Sequence, residues 1–431
     1  MHRAIALLLL AAASAQAGDD GFKPMFNGKD LTGWVNVNGA PTTYAVRDNM
    51  IVTTGVPAGF LRTDKQYENF ILELEWMHVV PKGNSGLFVW ADALPARGQP
   101  YPRSIEVQVM DGVETKNYTS DGDLFSIHGA TCVPDRPHPN GWARCLPSEK
   151  RSKPAGQWNH YRVECNNGSI KLAVNGKVVS GVHSVSPRKG YLCIEAEGSE
   201  CRFKNLKIKE LPSSNPDPKD VATADQGFHS LYTGVDLAGW KASDDQKQHW
   251  KPQDWRLTFD GKGEGDLWSQ KEYGDIQLIC DWRWTAKPVK KLRPVILPNG
   301  EYAMENGKQK EIEVLDAGDS GIYLRGSSKS QVNMWCWPIG SGEVYGYRTD
   351  PKMPADVKAG VTPREVADRK PGQWNRFLIT MQGDRLTVNL NGKTVIENAR
   401  LPGVAPRGPI ALQNHGDPVQ FANIFIRELK E

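Results

Sequence analysis

The 431-residue chain is short of most features that announce a function outright. Its 53 Lys and Arg stand against 50 Asp and Glu, a formal net charge of +3. No one-sign field therefore points to nucleic acid or to an anionic membrane surface. Nine His are scattered without an HExxH or any paired metal spacing, and the seven Cys match no zinc ribbon. There is no GxSxG elbow, and GKGEG (261–265) is a loop with no helix after it, so it is not a dinucleotide fingerprint. Asp121-Gly122-Asp123 falls short of an EF-hand pattern. Long helical periods are missing too; 354–369 has room for one or two turns. The single long apolar run is at the start, where Met1-His2-Arg3 precedes AIALLLLAAASAQA. A basic start, a short apolar stretch and Ala15-x-Ala17 read as a secretory signal over 1–17, too short to span a bilayer. The expectation is an exported protein, periplasmic or extracellular, with no membrane span and no nucleic-acid partner. Export permits disulfides. Cys132 with Cys145 and Cys193 with Cys201 are candidate pairs, while Cys280 reads as a small buried hydrophobe.

What is present is 42 Gly, 29 Pro and 14 Trp, a composition of short strands joined by turns. The chain is also duplicated. FNGKDLTGW (26–34) returns as YTGVDLAGW (232–240), and YENFILELEWM (67–77) as YGDIQLICDWRW (273–284). GNSGLFVW (83–90) matches GDSGIYLR (318–325), and PAGQWNHYRVE (154–164) matches KPGQWNRFLIT (370–380). VNGK and LNGK follow, and KGYLCIEAEG…FKNLKIKEL (189–211) matches RGPIALQNHG…FANIFIREL (407–429). Six blocks in one order give two homologous domains, 18–211 and 226–431, joined by a linker at 212–225. Within each copy the period is two: Phe70, Leu72, Leu74 and Trp76 share one face, with Glu73 and Glu75 on the other. Asn175-Gly176 and Asn391-Gly392 are hairpin turns. Each copy is therefore expected to be an all-β, two-sheet jelly-roll sandwich.

Strand 104–110 places Ser104, Glu106 and Gln108 on one face, and its second-copy equivalent places Gln331 and Asn333 there. That face is either solvated surface or the lining of a groove. Trp90, Trp142, Trp335 and Trp337 favour a groove, because aromatic faces stack on sugar rings. Matching GDLFSIH (122–128) to GEVYGYR (342–348) pairs Asp123 with Glu343 and His128 with Arg348, an acid and a cationic partner five apart in both. Glu195 and Glu197 match Gln413 and His415, again at i and i+2 on one face. A conventional two-carboxylate glycosidase needs an acid pair on such a groove. Here the position two after Glu106 is Gln108, and the second copy has no acid on that strand face.

FNGKDLTGW, the G-N/D-SG turn, EVQVMD, GQWN, NGK and LQNHG together resemble the 3-keto-disaccharide hydrolase domain family, over both copies. The resemblance implies a concanavalin-like jelly roll and cleavage of glycosides already oxidised to a ketone at C3. A C3 ketone acidifies the C2 proton, so one base and an oxyanion-stabilising group suffice to expel the C1 substituent, after which water adds. On this reading Glu106 is the base of the first copy, with Gln108 and His128 around it. Glu343 is the base of the second, with Arg348, Gln331 and His415 around it. Trp90, Asp123, Gln108, Gln331, Asn333, Tyr345 and Gln413 are the expected substrate-binding side chains. A divalent cation could replace the oxyanion donor, but nothing in the sequence demands one. The alternative is a non-catalytic carbohydrate-binding sandwich. The insertion at 287–310 is expected to be a lid or a domain contact.

Overall fold

The computed structural model describes residues 21–429; the leader expected at 1–17 lies outside them. Two jelly-roll sandwiches follow one another along the chain. In the first, a nine-stranded back sheet is centred on Asn159–Asn166, Phe70–His78 and Cys201–Glu210. It faces a seven-stranded front sheet in the order Arg144–Cys145, Leu124–Ile127, Ser104–Met110, Asn84–Ala91, Tyr191–Ala196, Gly59–Thr63 and Trp34–Asn36. The second has an eight-stranded back sheet centred on Val419–Glu428, Ile276–Trp284 and Asn375–Gln382. Its five-stranded front sheet runs Trp240–Lys241, Leu267–Tyr273, Gly408–Leu412, Asp319–Leu324 and Ser327–Trp335.

Strict alternation builds these layers. Phe70, Leu72, Leu74 and Trp76 are buried between the sheets of the first copy, and the residues between them are half-buried outside. Only one register puts all four inside, so burial fixes the pairing. Both Asn-Gly turns have positive φ at each position (46° and 86° at Asn175-Gly176, 55° and 90° at Asn391-Gly392), the type I′ geometry that matches strand twist. The only helical pieces among the described residues are short, and Ala355–Gly360 is the turn expected within 354–369.

All seven cysteines are free. Neither expected pair is bonded. Cys201 points into the core between the sheets, whereas Cys193 points out of the front sheet into the domain interface. Buried Cys145 accepts from the Gly181 N–H at 3.5 Å.

The sandwiches are packed together. Directly paired Glu73 and Lys207 on the outer face of the first back sheet form an ion pair at 3.1 Å. The matching pair in the second copy is Ile279 and Phe425. This apolar spot joins Phe60, Phe88, Tyr191 and Cys193 on the outer face of the first copy's front sheet in one cluster. Beside it the segment 92–103 lies on the second back sheet. The Gly98 N–H donates to Asp281 at 2.7 Å, and Asn423 donates to the carbonyls of Ala96 and Gln99 at 3.2 and 3.0 Å. Gly98 is left-handed (φ 67°), and a Cβ there would sit 2.2 Å from the Trp374 ring. Segment 212–225 also runs along the first sandwich, where Glu68 accepts from the Ser214 N–H at 2.8 Å.

Candidate functional site

In the first copy Ser104–Met110 alternates as expected, with Ile105, Val107 and Val109 in the core and Glu106 and Gln108 on the outer face of the front sheet. Gly86 lies opposite Gln108, and Glu195 flanks Gly86 on the next strand. A Cβ on Gly86 would lie 2.8 Å from a Glu195 carboxyl oxygen and 3.1 Å from one of Glu106, so the missing side chain is what lets the two carboxyls lean together. Both are closed in, at 7% and 1% exposure. Burial, reinforced by Glu197, pushes Glu106 up to about 8; burial and Glu106 raise Glu195 well above the carboxylate range. Apolar contacts with the second sandwich close the neighbouring stretch of this sheet.

The second copy repeats the geometry with different chemistry. Gly321 replaces Gly86, Gln331 replaces Glu106, Gln413 replaces Glu195, and Asn333 replaces Gln108. Gln331 donates to the Gln413 side-chain oxygen at 2.6 Å, an amide pair where the first copy holds two acids. One step along the same face, Asn84 and Glu197 of the first copy are hydrogen-bonded to each other. Their counterparts are Asp319 and His415. These two, with Gln331, Asn333, Gln413 and Lys329, line an open cleft of about 510 Å³ whose walls include Trp337 and Tyr345. Trp337 stacks flat on Trp335 (4.1 Å, 5°). Burial pushes Asp319 up to about 6, an effect that His415 opposes and Asp417 adds to. Asp266 is also raised by burial and feels the His415 charge. His415 is an exposed imidazole that lines, with Asp319, a polar, aromatic-walled cleft.

The structure corrects several expectations. Trp90 is fully buried between the sheets of the first copy, its Nε1 donating to the Glu68 carbonyl at 2.8 Å; it lines no groove. Trp142 is exposed and stacks on His138 instead (4.8 Å, 8°). Asp123 and Glu343 are equivalent, since their carbonyls accept from the N–H groups of Gln108 (3.0 Å) and Asn333 (2.9 Å). Both are fully buried acids paired to arginines rather than groove bases. Asp123 binds Arg144 at 2.6 Å, so its cationic partner is Arg144 and not His128. Arg144 also donates to Gln108 at 3.2 Å. Half-buried His128 follows Leu124–Ile127 and takes no part in the pair. Glu343 is bonded to buried Arg348, which also reaches the Gly300 carbonyl at 3.1 Å and the Tyr302 hydroxyl at 3.3 Å. Neither Glu343 nor Arg348 is open to a substrate. The insertion contributes a hairpin, Val289–Pro294 paired with Glu311–Asp316; its Tyr302 supports Arg348, and its Arg293 lies over the ring of the cleft-wall Trp337 at 5.9 Å. Sequence reading missed Asp319, although its signal was present as an acid two residues before Gly321 on the same strand face.

A family model for the 3-keto-alpha-glucoside-1,2-lyase-like domain matches residues 21–209 and again 227–427. The chain belongs to this family. Membership places it among carbohydrate-active proteins, in two tandem copies. None of the curated proteins matches the chain. Among solved structures, a candidate glycosyl hydrolase of Parabacteroides distasonis is 26% identical, covering 44% of this chain and 94% of its own at a TM-score of 0.35. A carbohydrate-binding module of Bacillus subtilis is 15% identical, with 41% and 95% covered and a TM-score of 0.30. A Bacillus licheniformis β-glucanase is 13% identical, with 44% and 97% covered and a TM-score of 0.28. Among the described residues no group of three His, Cys, Asp or Glu is arranged to hold a metal ion, and no helix is long and apolar enough to cross a membrane.

Proposed function

We propose that the protein is an exported enzyme that cleaves glycosides carrying a ketone at C3, and that the second copy performs the chemistry. Asp319, with its proton affinity raised by burial, is the base that removes the C2 proton. The electron pair left at C2 is delocalised into the C3 carbonyl as an enolate, whose oxygen accepts hydrogen bonds from the Asn333 amide and from the Lys329 ammonium, a cleft-lining group that also pairs with Asp350 at 2.7 Å. When the enolate collapses, the C1–oxygen bond breaks and the pair leaves with the oxygen, which takes a proton from His415. Water then adds across the C1=C2 bond and releases the 3-keto sugar. Trp337 and Tyr345 offer ring faces to the sugar. Such an elimination needs no second carboxylate, which agrees with the amide pair Gln331–Gln413 where a glycosidase would place acids.

The observation that carries this reading is the open cleft that Asp319 and His415 both line. The first copy has the fold but not this pair: Asn84 and Glu197 occupy those positions and its acids are closed in. It acts as a non-catalytic partner. The test is incubation of the purified protein with a 3-keto-disaccharide and with its unoxidised parent. Consumption of the oxidised sugar alone supports the proposal, and cleavage of neither, with binding of both, supports a carbohydrate-binding protein.

A further inference from the structure

The two sandwiches enclose another cavity, of about 540 Å³, that this reaction does not use. One wall is the edge of the first front sheet; the other is the start of the second copy and its strand Leu267–Tyr273. Three basic groups line it, Arg62, His229 and Lys271, and no carboxylate does. Burial and the Lys271 charge lower the proton affinity of His229, so Arg62 and Lys271 carry the charge, and their counter-ions lie outside the lining. Arg62 pairs with Asp225 at 2.5 Å. Lys271 pairs with Glu428 at 2.5 Å, but Glu428 is shared with Arg407 at 3.7 Å, so two cations meet one carboxylate.

Arg62 is almost wholly buried, rests on the Tyr191 ring at 4.5 Å, and keeps its Nε–H without an acceptor. A buried guanidinium with an unmatched donor is costly, and Asp225 offsets only part of that cost. Asn36, Ser230 and Gln270 add neutral hydrogen-bonding groups, and Phe228 and Tyr273 add aromatic rings. Positive charge, neutral polar groups and rings together suit a sugar that carries an acid. The volume lies within the range of small-ligand sites, and clefts between domains are where such sites are common.

We propose that this inter-domain cavity binds a carboxylate-bearing saccharide, a hexuronate or an oligosaccharide ending in one, independently of the second-copy cleft. The experiment is isothermal titration of the full chain with glucuronate, glucose and acetate, at low and high salt. Glucuronate should bind at least tenfold more tightly than either control, because only it carries both the ring and the charge, and salt should weaken it. Lys271→Glu should lower glucuronate affinity at least tenfold; because it also sets a second acid against Glu428, Lys271→Gln, which removes the charge alone, should weaken binding in the same direction with a smaller change in denaturation midpoint. Gln270→Ala, a neutral change in the same lining, should weaken binding without altering its salt dependence. Asp319→Asn should leave glucuronate binding intact, which separates this site from the cleft. Equal binding of glucose or acetate, no binding at all, indifference to Lys271→Glu, or loss in Asp319→Asn would each overturn the proposal.

Discussion

Replacing Asp319 by Asn should move activity and stability in opposite directions. The change is nearly isosteric and gives the second copy the residue that the first already has at this position, Asn84, so the strand should accept it. Burial raises the Asp319 carboxyl from 3.8 to about 6, with Asp417 adding to the rise and His415 opposing it. Two pH units correspond to about 3 kcal/mol. The sign follows from linkage: because the folded value is the higher, the stability this carboxyl contributes is complete below about 3.8 and is lost as pH rises through about 6. At pH 7.5 the wild type carries the whole cost of ionising it, and the amide does not. Asp319→Asn should therefore be more stable than wild type at pH 7.5 by about 1–3 kcal/mol and gain little at pH 4. Urea denaturation at the two pH values measures this. Loss of a positioned base should meanwhile lower kcat on a 3-keto-disaccharide by about 10²–10⁴-fold and abolish the limb of the kcat/KM profile near pH 6. An active Asp319→Asn enzyme with an unchanged pH limb would refute the assignment of the base. An inactive enzyme with no gain in stability at pH 7.5 would refute the account of why Asp319 is a good one.

The remaining expectations concern the supports of the site. Gly321→Ala would place a Cβ 2.2 Å from the Gln331 amide nitrogen and 2.6 Å from its Cγ, so it should separate the Gln331–Gln413 pair and cost about 1–3 kcal/mol together with activity. Gly86→Ala meets two carboxyls in the first copy and should cost stability while leaving turnover intact. Glu343→Gln should destabilise by about 3–5 kcal/mol by leaving the Arg348 charge buried without its carboxylate, and the fraction that folds should retain Asp319-dependent turnover; thermal scans and active-site-normalised rates separate the two. In the first copy the raised values of Glu106 and Glu195 mean that stability should be complete below about pH 4.5 and decline as pH rises through about 8. Glu106→Gln should flatten that decline without loss of kcat, and denaturation midpoints at pH 5 and 8.5 would show it.

How much of this the sequence held can be judged residue by residue. The duplication, the period-two strands and the shared face of Glu106 and Gln108, or of Gln413 and His415, were readable because alternation in a sheet depends only on counting by twos. Trp90 was misplaced because the counting fails there. Between Phe88 and Ala91 the strand has one residue more than its partner between Cys193 and Tyr191, and Trp90 adopts a φ of 55°. This bulge turns the indole into the core when alternation would put it outside. Glu343 and Arg348 stand five apart and so on opposite faces of a strand, but Tyr345–Arg348 is a helical turn that folds them together. Arg144 could not be matched to Asp123 by spacing, since it comes from a separate edge strand that pairs beside Leu124–Ile127 only after an intervening loop. The domain contact did leave a trace. Ile279 and Phe425 stand where the first copy has Glu73 and Lys207, an ion pair exchanged for an apolar pair on an outward face. An outward apolar residue in one of two repeats points to a surface that the other repeat does not bury.

The same exchange of residue types explains why two copies of one fold need not do one job. Across Gly86 the first copy sets two carboxyls so close that at neutral pH both cannot be ionised without repulsion, and both are shut off from solvent. Across Gly321 the second copy sets two amides, which satisfy each other at 2.6 Å whatever the pH. The amide pair removes like charge from the central position next to Asp319, so the neighbouring acid that still raises it is Asp417, outside that strand face. Moving the acid one step along the sheet, from Glu106 to Asp319, puts it next to a histidine instead of another glutamate. The reactive pair thus depends on what was removed from the central position as much as on what was added at the rim. Restoring acids at the centre, Gln331→Glu with Gln413→Glu, should raise the proton affinity of Asp319 further through like-charge repulsion. The pH limb assigned to Asp319 should then move above 6. If it stays where it is, the two positions are not electrostatically connected and the division of labour between the copies needs another cause.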